Sequence, residues 1–319
     1  MSINRITLLG GSGFVGSHLV AHLSNRGIAC RVVTRHPQRH RQLEVNPGCH
    51  LMRADLFDSR SLADAFEGSD AVINLIGILN EQGGQTFRRM HVELVDQIVE
   101  ACQLAGVKRL LHMSALHANE AQGSSRYLRS KGEGENRAHT HGGASMAVTS
   151  FRPSVIFGPC DGLFNRFAGL LRLSPLLFPL ACPQARFAPV YVGDVAKAFA
   201  RALEDPSSFD RHYDLCGPQV YSLRELVAYT AATLGLRRYI IGLGDLSSRL
   251  QAHLLGHLPG KPFSWDNYLS LQTDSVCDHN DLETLGIHPT PIDAVVPHYL
   301  AHTDHRGRLN RYRRTGLTP

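Results

Sequence analysis

The chain has 319 residues, of which 43% are hydrophobic and 19% charged, the composition of an ordinary globular protein with a sizeable core. Its longest apolar stretch, residues 167–182, is interrupted by Arg172, Pro175 and Pro179, which excludes a membrane span there. The seven cysteines are scattered, odd in number and without a C-x-x-C pair, so we expect reduced thiols and neither a disulfide framework nor a metal site.

The formal net charge of +5 comes from the C-terminal end of the chain. Residues 305–319 contain five arginines and no acidic residue, whereas basic and acidic residues balance in the rest of the chain. The ordinary interpretation is a solvated terminus, and the alternative is contact with anionic lipid or an acidic partner. The N-terminus has no signal-peptide pattern, so we expect a cytoplasmic protein, with a peripheral position at the inner membrane as the alternative.

Short apolar runs alternate with helical patterns up to about residue 156, which predicts a doubly wound parallel sheet, that is, an α/β Rossmann domain over 1–156. We expect a smaller lobe over 157–302, some segments of which return to the sheet, and a basic tail over 303–319. Within the smaller lobe, "VYVGDVAKAFARAL" predicts a short strand and a helix capped near Asp194, and "HYDLCGP" predicts a strand.

The stretch "TLLGGSGFVGSHL" places three glycines between the first predicted strand and the first predicted helix. In that context the first glycine allows a tight turn, the second lets the backbone approach a pyrophosphate, and the third lets helix and strand pack closely. The free N–H groups at the helix N-terminus then bind the anion. We therefore predict a dinucleotide site that includes Gly10, Gly13, Phe14, Val15 and Gly16.

The end of the second strand indicates which dinucleotide is bound. NAD-selective sites place an acidic residue there for the ribose hydroxyls, whereas an arginine accommodates a 2'-phosphate. This chain has Thr34 and Arg35, and no carboxylate before Glu44. We therefore favour NADP(H) over NAD(H).

Two further strand ends fit the same nucleotide. Asp55 and Leu56 end the third strand, where they would meet the adenine; the alternative for Asp55 is a helix or turn cap. Asn74 and Gly77 end the fourth strand, where they would let the backbone pass close to a ribose.

The candidate reacting groups follow the fifth strand. Ser114 ends that strand, and Tyr127 and Lys131 stand four residues apart on a predicted helix, so that their side chains share one face. A nearby ammonium is expected to lower the pKa of the phenol, which suits general acid–base chemistry on a carbonyl or alcohol. Ser114 would hold the substrate oxygen.

These motifs resemble the short-chain dehydrogenase/reductase superfamily in its extended or atypical branch, whose members include epimerases and dehydratases. "GGSGFVG", "RYLRSKGEGE", "FRPSVIFGP" and "WDNYLSLQTDSVC" are similar to bacterial relatives of the nucleotide-binding accessory subunit of respiratory complex I. The resemblance implies that Ser114, Tyr127 and Lys131 are catalytic, that Lys131 also binds the nicotinamide ribose, and that Pro153 lies near the nicotinamide. His91 stands where many extended relatives have asparagine, and we interpret it as a core or surface histidine.

Two hypotheses of different class follow. The first is an NADP(H)-dependent oxidoreductase, or epimerase-like enzyme, acting on an apolar substrate, which the apolar residues of 164–178 suggest. The second is a non-catalytic nucleotide-binding accessory or assembly protein, which would contact a protein complex or a membrane surface through 167–182 and 305–319. A sugar-nucleotide epimerase is less favoured because the second lobe lacks a basic and aromatic set for a nucleotide diphosphate. We expect no nucleic-acid partner.

Overall fold

The computed structural model describes residues 3–143, 145–258 and 262–300, so the predicted basic tail over 303–319 lies outside the described residues. Seven strands form one parallel sheet in the order β3-β2-β1-β4-β5-β6-β11. This is the predicted Rossmann-type sheet. The strands are β1 Arg5–Leu9, β2 Ala29–Val33, β3 Cys49–Met52, β4 Ala71–Asn74, β5 Arg109–Met113, β6 Ala147–Pro153 and, after shorter strands elsewhere, β11 His212–Leu215.

Helices cover both faces of this sheet because alternate strand residues point to opposite sides and both sets are apolar. Ile6, Leu8 and Leu111 pack with one helix layer, whereas Leu9 and Leu110 pack with the other. The helices are α1 Phe14–Ser24, α2 Ser59–Phe66, α3 Leu94–Leu104, α4 Arg126–Gly142, α5 Phe164–Leu173, α6 Val192–Glu204, α7 Leu223–Thr233, α8 Asp245–Gly256, α9 Trp265–Ser270, α10 Asp281–Thr284 and α11 Val296–Leu300.

Two elements from the second half of the chain belong to the large domain. Strand β11 pairs with β6 at the edge of the sheet, and α6 packs beside α1 in the layer formed by residues such as Leu19 and Phe199. The predicted cap of α6 at Asp194 is wrong, because the helix begins one turn earlier with Tyr191 as N-cap. Asp194 is instead fully buried, where it pairs with Lys197 at 3.0 Å and accepts the N–H of Thr290.

The remaining elements form the smaller lobe around two apolar clusters. One contains Phe157, Phe164 and Leu226, and the other contains Leu171, Phe178 and Val227. Part of the predicted apolar substrate surface is therefore core packing of the lobe itself. None of the described helices is long and apolar enough to cross a membrane. The short strands are β7 Ile156–Phe157, β8 Leu177–Leu180, β9 Arg186–Phe187, β10 Val190–Tyr191, β12 Tyr221–Ser222 and β13 Tyr239–Gly242.

A disulfide joins Cys216, which follows β11, to Cys277, with an S–S distance of 2.03 Å. The expectation that all seven cysteines are reduced is therefore wrong for this pair, while Cys30, Cys49, Cys102, Cys160 and Cys182 are free. Sequence spacing could not reveal the pair because 61 residues separate its members and only the folded chain brings them together.

Candidate active site

The predicted glycine turn connects β1 to α1 and leaves the start of the helix open. Gly10 has a φ of +77°, and a Cβ on Gly16 would lie 2.4 Å from the Gly10 carbonyl oxygen. Only glycines therefore permit this close turn. The N-cap is Gly13, and within the described chain no side chain caps the helix and its first turn has no acidic residue. This arrangement fits a bound pyrophosphate.

Phe14 and Val15 form the first turn of α1, next to the predicted pyrophosphate position. The Phe14 ring contacts His18 edge-on at 5.4 Å, and Val15 packs partly against the core. At the end of β2, Thr34 is buried and Arg35 is exposed. Arg35 forms no ion pair within the described parts of the chain, so its guanidinium is available to an anionic ligand.

The other predicted nucleotide contacts lie along the same carboxyl edge of the sheet. Asp55 is exposed and accepts the N–H of Phe57, so it closes a turn in this structure, while Leu56 is half-buried beside it. Asn74 is buried at the end of β4 and accepts the N–H of Ile76. Pro153 ends β6, where its carbonyl accepts the N–H of Leu116.

Helix α4 carries the reacting groups and begins at a contact between the two lobes. Ser125 caps the helix, and Asp266 of α9 accepts the N–H groups of Arg126 and Tyr127 at 2.8 and 3.1 Å. One turn later, the buried Lys131 Nζ donates to the Met113 carbonyl at 2.7 Å. A Cβ on Gly77 would lie 3.3 Å from Lys131 Nζ. The ammonium therefore lies next to the backbone that follows β4, where we predict the ribose.

The pKa of Tyr127 departs from its ordinary value in the direction opposite to our prediction. Burial raises it to about 12, and the Asp266 carboxylate adds to this effect. Lys131 does not reverse the shift; its own pKa falls to about 8 because it is buried, although Glu135 acts in the opposite direction. At neutral pH the structure therefore presents a protonated phenol one helical turn from an ammonium.

Ser114 is placed differently from Tyr127 and Lys131. Its buried hydroxyl donates to Glu135 Oε2 at 2.6 Å. Glu135 lies eight residues beyond Tyr127 on α4, which corresponds to about 12 Å along the helix. The structure thus places Tyr127 and Lys131 on one helix face. Ser114 instead forms a hydrogen bond with Glu135, two turns beyond Tyr127 on the same helix.

Our sequence interpretation missed Glu135 and His139, which continue the face of α4 begun by Tyr127 and Lys131. All four are polar and spaced by four residues, and that repeat was a readable signal. Beneath them the sheet contributes a polar row in register across four strands. The row consists of Asn74, His112, Ser150 and His212.

Two buried histidines next to Lys131 are neutral. His91 accepts the N–H of Ile78 on Nε2 and lies 2.9 Å from Ser130 Oγ, as expected for a core histidine. Burial lowers its pKa to about 2, with Lys131 contributing. Burial similarly lowers the pKa of His112 to about 3. Neither imidazole therefore carries a positive charge next to Lys131 at neutral pH.

Glu135 is the centre of a buried ion-pair network. It accepts hydrogen bonds from Arg152 at 2.8 Å, from His212 at 2.5 Å and from Ser114. Its ligand atoms and those of His139 and His212 lie within 4.8 Å of one another, a spacing that a metal ion could use. Because Arg152 already neutralises the carboxylate, we interpret the group as an ion-pair network. His139 belongs to this network.

This network predicts loss of stability in acid. Burial would raise the pKa of Glu135, but hydrogen bonds from His212 and Ser114 and the charge of Arg152 hold it near 2, below its ordinary value of 4.5. A lowered carboxyl pKa contributes stability above pH 4.5 that is lost as the pH falls toward 2. We expect roughly 3 kcal/mol of unfolding free energy to disappear over this interval, measured by urea denaturation.

The Glu135→Gln variant should be less stable at neutral pH and should lack this part of the acid dependence. Glu100→Gln, which changes an exposed carboxylate on α3, is the matched control and should follow wild type. Equal acid slopes in wild type and Glu135→Gln would show that the network contributes nothing to stability.

Comparison with known proteins agrees with this geometry. A family model described as NAD(P)H-binding matches residues 10–142. The NADH dehydrogenase [ubiquinone] 1 alpha subcomplex subunit 9 of Mus musculus is 30% identical over 296 residues, covering 90% of this chain and 77% of the mouse protein. The chain belongs to the family of this complex I subunit. Its resemblance to that subunit and its NAD(P)H-binding domain, both expected from the sequence, are thereby confirmed.

Relatives of the subunit 9 family include enzymes. The ceramide reductase of Caulobacter vibrioides is 28% identical over 247 residues, covering 75% of this chain and 74% of that protein. An NADPH-dependent quinone oxidoreductase from Escherichia coli, solved with NADPH, superimposes with a TM-score of 0.73 at 19% identity, covering 92% of this chain and 99% of that one. At this identity the structural likeness shows the fold alone. The chain is thus an NAD(P)H-binding, oxidoreductase-like member of the subunit 9 family.

Proposed function

We propose that this protein is an NADPH-dependent reductase that converts a ketone on an apolar, lipid-like molecule into an alcohol. One observation carries the proposal: Tyr127 and the buried Lys131 lie one helical turn apart beside the Gly77 backbone. A phenol and an ammonium in that relation can serve a carbonyl and a ribose at the same time. The ceramide reductase among the relatives supports the substrate class.

When bound, NADPH would supply the hydride that the carbonyl carbon accepts, and Tyr127 would supply the proton to the carbonyl oxygen. The pKa of about 12 keeps the phenol protonated at neutral pH, which favours its role as the acid in a reduction. Lys131 binds the ribose and favours the phenolate that remains after transfer. The phenolate then regains its proton from solvent.

Arg35 supports NADPH as the coenzyme. It is exposed at the end of β2, no carboxylate precedes Glu44, and an arginine at this position can pair with a 2'-phosphate through two N–H groups. The exposed Asp55 could turn from its present turn contact toward the adenine.

The test supplies a ceramide oxidised to the ketone at its secondary hydroxyl, in detergent, with NADPH or NADH. We expect wild type to oxidise NADPH and form the alcohol, and to act poorly on a short water-soluble 3-oxo acid. Arg35→Ala should weaken NADPH binding by about tenfold or more and leave NADH binding unchanged, whereas Arg60→Ala, an exposed arginine of α2, should change neither. Absence of turnover with the keto lipid would refute the reductase, and an unchanged NADPH affinity in Arg35→Ala would refute the role of Arg35.

The second candidate is a nucleotide-binding accessory protein without turnover. The engagement of Ser114 by Glu135 favours it, because this leaves Tyr127 without the serine hydroxyl that the resemblance implies as its partner. The complex I subunits among the relatives also support it. In that case Tyr127 would serve only as a nucleotide contact, and Tyr127→Phe would leave the function of the protein intact.

A further inference from the structure

The smaller lobe exposes an apolar surface that its fold does not require. On α8, Leu246, Leu250 and Leu254 are 82%, 59% and 59% exposed, and their spacing of four residues puts them on one helix face. Ser248 and Ala252, on the other face, are the buried residues of this helix. The helix thus directs leucines to the outside, the reverse of an ordinary amphipathic surface helix.

Neighbouring elements extend this leucine face. Strands β8 and β13 pair in parallel, and the residues on their outer side are exposed, among them Leu177, Tyr239 and Ile241. Gln251 of α8 donates to the Pro179 carbonyl, which places the helix beside this two-stranded ribbon. Leu173 and Leu176, at the end of α5, are exposed as well. A continuous apolar surface of this kind is uncommon on a soluble protein and marks an interaction site.

The charges around the surface are almost all positive. Residues 163–185 and 234–258 contain five arginines and a single acidic residue, Asp245. Asp245 is already paired with Arg249 at 2.7 Å. Arg172 and Arg237 are exposed, and Arg238 donates to the Leu171 carbonyl, so these basic groups border the exposed leucines of α5. Exposed leucines within a basic rim match the interface of an anionic bilayer, in which acyl chains lie beneath negative headgroups.

We propose that this leucine face of α5, β8, β13 and α8 docks on the surface of a membrane that contains anionic lipid. The leucines enter the boundary between headgroups and acyl chains while the arginines contact the headgroups. The proposal does not depend on turnover. The docked helix α8 is linked to the helix of Tyr127, because Arg249 of α8 donates to the Tyr268 hydroxyl of α9 and Asp266 of α9 accepts from the start of α4.

A tryptophan of the chain provides the fluorescence signal for the test. Trp265 is its single tryptophan, is 47% exposed, and lies on α9 next to α8. Full-length protein is mixed with vesicles of phosphatidylcholine and phosphatidylglycerol in equal parts, and with pure phosphatidylcholine vesicles. We expect co-sedimentation and a blue shift of Trp265 fluorescence with the anionic vesicles, at least about tenfold stronger than with the neutral ones, and weakened by salt.

Two sets of variants decide whether the leucine face is responsible. The triple variant Leu246→Gln, Leu250→Gln and Leu254→Gln should lower vesicle affinity by about tenfold or more without affecting the fold. Val45→Gln with Leu104→Gln, which changes exposed apolar residues of the other lobe, should bind like wild type. Arg172→Glu with Arg237→Glu should lose the preference for anionic vesicles, whereas Arg41→Glu with Arg60→Glu should keep it.

Three results would overturn the proposal. The first is that wild type fails to bind anionic vesicles at low salt. The second is that the triple leucine variant binds them like wild type. The third is a dimer in solution that the triple variant dissolves while vesicle binding is absent, which would assign the face to a second copy of the chain. Because vesicle binding is measured without coenzyme or substrate, none of these results bears on the reductase activity.

Discussion

The Tyr127→Phe protein is expected to bind NADPH like wild type and to lose reductase turnover by about 100- to 10,000-fold. The substitution removes only the phenolic oxygen, and the protonated phenol is the group that the structure presents as the acid. Coenzyme affinity should be retained because Lys131 and the glycine turn remain. Binding is measured by NADPH fluorescence and turnover by formation of the alcohol.

Tyr221→Phe is the control, since its hydroxyl donates to the exposed Gln219 side chain of the smaller lobe, and it should keep full turnover. Lys131→Met should differ from Tyr127→Phe by weakening NADPH binding as well. If Tyr127→Phe reduced the keto lipid at the wild-type rate, the phenol would not be the proton donor.

The Gly134→Ala substitution is expected to destabilise the fold by about 3 kcal/mol or more. Gly134 lies within α4, where a Cβ would come 1.9 Å from the His91 carbonyl oxygen. The obstacle is backbone of the π-helical turn Arg89–Glu93, which no change of rotamer can clear. The helix must therefore move, and Lys131 one turn earlier moves with it. Urea denaturation measures the loss.

Gly169→Ala provides a matched control in another helix. Gly169 lies inside α5, and nothing lies within 4 Å of a Cβ built there. Alanine should therefore stabilise the protein by about 0.5–1 kcal/mol through its better helix propensity. Similar effects of the two substitutions would contradict the close packing of α4 on the turn at His91.

The sequence predicted the parts of the fold that rest on local patterns. Apolar runs and turn residues predicted the six sheet strands from β1 to β6, the strand β11 and the helix α6, because periodicity and turn residues are properties of neighbouring positions. The disulfide between Cys216 and Cys277 could not be predicted, since it joins residues that only the tertiary fold brings together. Gly132 and Gly134 of α4 mark close packing that depends on the tertiary fold, because a Cβ on either would collide with neighbouring backbone.

The sequence predicted which residues lie in the candidate site better than it predicted their pKa values and hydrogen-bond partners. Tyr127 and Lys131 share a helix face, as their spacing indicates. The direction of the Tyr127 pKa was wrong because burial and the carboxylate of Asp266, 139 residues away, both raise it. The partner of Ser114 was missed for a related reason. Glu135 is drawn into the core by Arg152 and His212, which come from two later strands.

Residues of both lobes form hydrogen bonds at the start of α4, so a movement of one lobe relative to the other would affect this helix. Besides the two N–H groups held by Asp266, Ser270 donates to Ser125 and Thr273 lies 2.8 Å from Ser124. Opening the cleft between the lobes would break these contacts and remove the Asp266 acceptor from the N–H groups of Arg126 and Tyr127, while Ser125 would still cap the helix. Under the proposed function, the lobe that would select the substrate would also help to orient the phenol, so that closure on a ligand and alignment of the proton donor would occur together.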